Sequence, residues 1–388
     1  MNNFRFYNPC EIYFGKEQEK NAGKLCAKYG HKVLMVYGKN SIKKNGVYDT
    51  VISSFKEENI EFIELNGVKP NPEMDLVYKG IEICKNENID FVLAVGGGSV
   101  IDCAKAIATG ALYDGDAWDF YLRKRKPEKA LPVGTILTVV GAGSEMSNSN
   151  VITKGNLKRD FDNEIIIPKF SILNPELTYT VSPFQTACGS FDAISHLLER
   201  YFTPTESTDV TDRMIEGLVQ TLMIYTPLAM KHPDCYEYRA QIMWAATLAQ
   251  NGLMNTGRDG DWACHKIEHE LSGEFDIAHG LGLAMIYPSW LIYVAKENMP
   301  RFRQFGRRIL GVDVMEEDDK TIECIVDAFV DFEKKIGLDY NISSLEMDDE
   351  KCKELAIRTC WNSDTKGKFR KLTSDDIYRI LKNAKTFE

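Results

Sequence analysis

Apolar runs of strand length at Lys32–Tyr37 and Phe91–Val95, with Ile60–Leu65 between them, are separated by stretches of helical period and polar turns. A run that is apolar at nearly every position belongs to a strand covered on both faces, which is the signature of a parallel sheet. The intervening segments, Ser41 through Phe55 and Met74 to Glu87, read as helices. Strand, helix, strand, helix, strand restricts the fold to a doubly wound α/β domain. Two later runs, Leu131–Thr138 and Lys169–Leu173, extend the sheet, the last closing it before Asn174-Pro175.

Past Val181 the pattern changes. Strand-like runs nearly vanish, and helical periods take over at Thr186–Tyr201, Val210–Leu228, Tyr236–Leu253 and Thr321–Ile336. Pro183 stands where a helix start tolerates proline. A chain of 388 residues is long for one core. We therefore expect an α/β domain at 1–182 with a parallel, Rossmann-like sheet, and an all-α domain at 183–388.

Directly after the third strand comes Gly96-Gly97-Gly98-Ser99, and then a small, apolar helical segment through Asp102 and Lys105. Glycines let backbone approach an anion closely, and a helix start adds unpaired N–H groups and a favourable dipole. A glycine turn is common in itself, but its place at the carboxyl end of a parallel strand is where such sheets bind ligands. The segment does not match GxGxxG, so the ordinary dinucleotide fingerprint is absent. A second turn, Gly141–Glu145, follows the next strand, so the two could bracket a dinucleotide, pyrophosphate at the first and nicotinamide near the second. Gly96, Gly97, Gly98, Ser99, Asp102 and Thr138 are the candidate contacts here.

Five of the six histidines fall between Asp192 and His279. Asp192 and His196 are four apart and share a helix face. Taken alone, such a pair is an ordinary surface hydrogen bond. The second cluster, His265, His269 and His279, offers two more ligands, and one carboxylate with three imidazoles suits Fe2+ or Zn2+. His265 and His269 also form HxxxH, but Lys266 stands where a zinc peptidase needs Glu, which removes that reading. Metal on the helical side facing the glycine turns would define a cleft.

The formal charge of −10 argues against nucleic acid, and the basic cluster Arg123–Lys126 is short and followed by Pro127. The first residues lack a signal-peptide pattern, and no run of about 18 apolar residues occurs. We expect a cytoplasmic protein without a membrane role. Ten scattered cysteines without CxxC read as reduced.

These motifs, with Asn8-Pro9, Phe14-Gly15, Gly143-Ser-Glu145 and Tyr287-Pro288, closely resemble the iron-containing (group III) alcohol dehydrogenase family over nearly the whole chain, in particular its butanol-dehydrogenase and broad aldehyde-reductase branch. The resemblance implies a dinucleotide-binding N-terminal domain and a helical metal domain. It implies reversible oxidation of a primary alcohol to an aldehyde with a nicotinamide cofactor. Its metal ligands fall on Asp192, His196, His265 and His279. His269 matches a histidine beside the metal, where it either passes a proton through water or supports the site structurally. Lys158 falls where the family places a lysine near the ribose. Ala142 departs from the family's frequent Thr, leaving Thr138 as the side-chain contact. A homodimer through the N-terminal segment is implied in the same way.

Cofactor choice hangs on Gly38, Lys39, Asn40 and Ser41. No carboxylate follows the first strand to repel a 2′-phosphate, and Lys39 and Lys43 add positive charge, which favours NADP(H) over NAD(H). The alternatives on the same scaffold are a glycerol dehydrogenase-like enzyme, for which four ligands are one too many, and a dehydroquinate synthase-like enzyme, for which Asn251–Gly257 is too uncharged. A non-catalytic metal-binding protein is the remaining alternative.

Overall fold

The computed structural model describes residues 1–384. The chain divides into two compact units, one holding Tyr7–Val181 with His232–Asn251, the other holding Met1–Phe6, Ser182–Lys231 and the chain from Gly252 onward.

The first unit is built on eight strands: β1 (Glu11–Phe14), β2 (Lys32–Tyr37), β3 (Glu61–Leu65), β4 (Phe91–Gly96), β5 (Val133–Leu137), β6 (Ser149–Lys154), β7 (Leu157–Asp162) and β8 (Phe170–Leu173). Six of them form one sheet in the order β1-β8-β5-β4-β2-β3, every pair parallel. Val33 to Tyr37 and Phe91 to Val95 are wholly buried, as a sheet covered on both faces requires. One face packs on Val51 and Phe55, the other on Val77, Ile101 and Ile107. β8 does not close the sheet as expected, because β1 pairs along its outer side from Glu11↔Phe170 to Phe14↔Leu173. β6 and β7 form a separate antiparallel hairpin.

The Tyr236–Gln250 helix belongs to this unit. Its Thr247 hydroxyl donates to Glu145 at 2.6 Å, and the Trp244 ring meets Phe14 edge-on at 6.1 Å.

The second unit is helical among its described residues. The Pro183–Tyr201 helix starts at Ser182, whose hydroxyl accepts from the Gln185 N–H at 3.2 Å, with Pro183 in the first turn. Asp209–Lys231, Ala263–Phe275, His279–Val294 and Asp318–Lys335 follow. No helix among the described residues is long and apolar enough to cross a membrane. All ten cysteines are free.

Candidate metal centre and dinucleotide cradle

In the sheet unit, three neighbouring strands end side by side, and the predicted contacts follow their ends. Gly38 to Ser41 follow β2, Gly97 to Ser99 follow β4, and Thr138 follows β5, its N–H bonded to Gly96 O at 3.0 Å. Gly97 caps the Gly98–Ala111 helix. A side chain at this turn has no room: a Cβ on Gly97 would come within 2.9 Å of Val139 Cβ, and one on Gly98 within 2.7 Å of Ala142 Cβ. Bare backbone at a helix start is what a pyrophosphate cradle needs.

Asp102 lies deeper. Its carboxylate accepts from the Ser144 hydroxyl at 2.6 Å and the Val151 N–H at 3.2 Å. Burial raises its pKa to about 6, against the pull of Lys105 and those two hydrogen bonds. Lys105, lowered to about 8 by burial, donates to the carbonyls of Ser144, Ser147 and Ser149 at 2.7, 2.9 and 3.0 Å. The pair moors the loop after β5 to the helix that follows β4. Lys158 is buried on β7 opposite Thr153, close enough to Asp102 to help lower its pKa.

In the helical unit, Asp192 and His196 lie on one face of Pro183–Tyr201, as their spacing predicts. His265 stands in the first turn of Ala263–Phe275, and His279 is the first residue of the next helix. Between them Asp276 takes a left-handed conformation, φ 49°, with its N–H on Ser272 O at 3.0 Å, so one helix stops and the chain turns back. Gly280 then allows close approach, because a Cβ there would meet Cys188 O at 2.0 Å.

The result is three imidazole nitrogens around one carboxylate oxygen. Asp192 Oδ1 lies 3.6 Å from His196 Nδ1, 3.7 Å from His265 Nε2 and 3.5 Å from His279 Nε2. These separations are too long for good hydrogen bonds. They are close to the roughly 3.3–3.6 Å between donors that share one tetrahedral ion at about 2.0–2.2 Å. Donor atoms of Asp192, His265 and His279 all lie within 4.8 Å of one another, while His196 joins through Asp192 and stacks on His265 with centroids 4.6 Å apart. Asp192 Oδ1, His196 Nδ1 and His265 Nε2 are buried without a hydrogen bond. A buried polar atom left in that condition needs a partner, and three that meet at one point call for a shared one. Burial would raise the Asp192 carboxyl, but His196, His279 and His265 hold it well below the usual carboxylate range. Burial keeps His196 neutral, as a ligand must be.

The family description "Iron-containing alcohol dehydrogenase" matches residues 9–175, and that of the C-terminal domain of the Fe-containing alcohol dehydrogenase family matches residues 186–385. The chain belongs to the iron-containing alcohol dehydrogenase family. It is 39% identical over 388 residues to NADH-dependent butanol dehydrogenase A of Clostridium acetobutylicum, covering 99% of this chain and 100% of that one. It is 33% identical to the NADPH-dependent aldehyde reductase YqhD of Escherichia coli, over 90% of each chain. The crystal structure of NADH-dependent butanol dehydrogenase A from Thermotoga maritima matches with a TM-score of 0.95 at 40% identity, over 99% of both chains. The protein is thus an oxidoreductase, an alcohol dehydrogenase or aldehyde reductase, and these matches do not favour the other functions considered on this scaffold.

Around this family member's histidines stand residues that the sequence reading missed. Glu199 Oε1 accepts from both the backbone N–H and Nδ1 of His265, each at 3.0 Å. Glu268 meets His279 Nδ1 with one carboxylate oxygen and the Ser272 hydroxyl with the other. Burial would lower the His265 pKa, but Asp192 and Glu199 raise it instead. Trp262, at φ 67°, lays its ring 5.4 Å from that of His265, and the Arg200 guanidinium sits over the Trp262 ring, 4.5 Å from its centroid. His269 lies one turn after His265, its ring 5.8 Å from that of His279.

Proposed function

We propose that this enzyme interconverts a primary alcohol and an aldehyde, with Asp192, His196, His265 and His279 holding one divalent cation, Fe2+ or Zn2+, and a nicotinamide dinucleotide along the β2, β4 and β5 strand ends. The observation that carries the reading is the convergence on Asp192 Oδ1 of His196 Nδ1 and His265 Nε2, all three buried without a hydrogen bond, with His279 Nε2 3.5 Å from the same oxygen. When bound, the cation supplies Lewis-acid polarisation of the carbonyl and the dinucleotide supplies or takes the hydride. The chain's own part is to hold and orient. Gly96, Gly97, Gly98 and Ser99 leave backbone N–H groups for the pyrophosphate. Thr138, Asp102 and Lys158 are the side chains assigned to the rest of the cofactor, Asp102 through the loop that it fixes. His269, beside His279, is assigned to carry the proton that the substrate oxygen gains or loses.

The preference is NADP(H), now on narrower grounds. Gly38 leaves room, and Lys39, Asn40 and Ser41 are exposed after β2. Lys43, however, is spoken for: its Nζ lies 3.7 Å from Glu64 Oε2 and 4.5 Å over the Tyr48 ring. The positive charge for a 2′-phosphate therefore falls to Lys39. Homodimerisation is supported by exposed Phe4, Phe6 and Tyr7, at 56%, 46% and 51%, followed by β1 at the edge of the sheet. An unpaired edge invites a second chain.

The test is a rate matrix. Metal-stripped protein reloaded with Fe2+ or Zn2+ should reduce butanal with NADPH faster than with NADH, and the stripped protein should be inactive. Absence of turnover under every combination would remove the proposal.

A further inference from the structure

We propose that Glu199 and Glu268 are positioning residues of the cation site, each holding the Nδ1 of one imidazole so that its Nε2 faces Asp192 Oδ1. The inference rests on the metal reading above and deepens it by assigning what aims the donors.

Glu199 is fully buried on the same helix as Asp192 and His196. With Oε1 it takes both N–H groups that His265 can offer on that side. A carboxylate can only accept, so Nδ1 carries the proton and Nε2 keeps its lone pair. That Nε2 is the atom found buried, unbonded and 3.7 Å from Asp192 Oδ1.

Glu268 does the same for His279 from a different helix. It is wholly buried, and the Ser272 hydroxyl one turn later fixes its other oxygen. The facing helix makes room for it: a Cβ on Gly282 would lie 2.9 Å from both Cγ and Oε1 of Glu268. His279 Nε2 is thereby left 3.5 Å from Asp192 Oδ1. Burying a carboxylate is costly unless it is paired and hydrogen-bonded. Two such groups, on two helices, set against the backs of two neighbouring imidazoles, point to one shared task. Carboxylates in this place fix the tautomer and ring orientation and raise the basicity of the ligating nitrogen. His196 is held differently, by stacking against His265 and by Trp262 at 6.1 Å.

Cobalt(II) is the probe, added to the metal-stripped full chain and titrated against a competing chelator while the visible spectrum is recorded. The unsubstituted chain should bind one ion. Glu199→Gln and Glu268→Gln should each still bind one, about 10- to 100-fold more weakly, with shifted absorption bands. Ser272→Ala, which leaves Glu268 present but less constrained, should weaken binding about fivefold, the worth of one hydrogen bond. It decides the Glu268 case if Glu268→Gln does not fold. A purely structural role would lower the melting temperature and leave the bands alone. Unchanged affinity and spectrum in the variants would overturn the inference while leaving the metal reading standing. Failure of the unsubstituted chain to bind cobalt would overturn both.

Discussion

Removing the cation should destabilise the helical unit and leave the sheet unit nearly untouched. A ligand that binds only the folded state, free at about a thousand times its Kd, stabilises by about 4 kcal/mol. For a unit of this size each kcal/mol moves the melting temperature by about 2–4 °C, so loading should raise it by roughly 8–16 °C. The structure says where that energy is felt. Asp192 Oδ1, His196 Nδ1 and His265 Nε2 are buried with no hydrogen bond, and each such atom costs about 1–3 kcal/mol until something satisfies it. Calorimetry on stripped and zinc-loaded protein measures the shift, and hydrogen exchange locates it. Protection should rise in Pro183–Tyr201, in Ala263–Phe275 and at the start of His279–Val294, while β2 and β4 keep theirs. Asp192→Asn should lose most of the metal-dependent shift, because it removes the one charged oxygen that faces all three imidazoles. An equal zinc-induced shift in that variant, or protection gained mainly in the sheet, would refute the reasoning.

Two further outcomes follow from buried charge away from the histidines. Asp212 is wedged between Arg258 at 2.6 Å and Arg301 at 2.5 Å, and Gln304 donates to it at 3.1 Å. Asp212→Ala strands two guanidinium groups, which should cost about 3–5 kcal/mol, read as a lower urea midpoint with cobalt stoichiometry unchanged. Asp102 predicts a pH effect. Its folded pKa is raised to about 6, so its contribution is fully present below the unfolded carboxylate range and is lost as pH rises through about 6. Urea midpoints measured from pH 4 to 7 should therefore fall more steeply in the native chain than in Asp102→Asn; parallel profiles would contradict that assignment.

How much of this was legible depended on what each residue is buried against. β2 and β4 could be read directly, because strands covered on both faces are apolar at every position, and their order of appearance gave a parallel sheet. β1 escaped because Glu11 and Phe14 are exposed at a sheet edge, which breaks the apolar run. The β6–β7 hairpin is hidden because its strands are polar, although Gly155-Asn156 between Lys154 and Leu157 is a two-residue turn signal. The helix Tyr236–Gln250 was legible as a helix, but nothing in its period says that Thr247 and Trp244 pack on the sheet unit.

The site divides along the same line. Asp192 and His196 announce themselves by rare residue types at helical spacing, and His265 and His279 by their crowding in a chain with few histidines. Glu199 continues the same helix face at the seventh position after Asp192, and Glu268 immediately precedes His269. Neither position stands out, since glutamate at a helical spacing is ordinarily solvated. Only burial separates these two from the exposed glutamates, and burial comes from other helices closing over them, the one that carries His265 over Glu199 and the one that begins at His279 over Glu268. A site of this kind therefore shows its donors in the sequence and hides what aims them, because aiming is done by common residues whose meaning is set by tertiary packing.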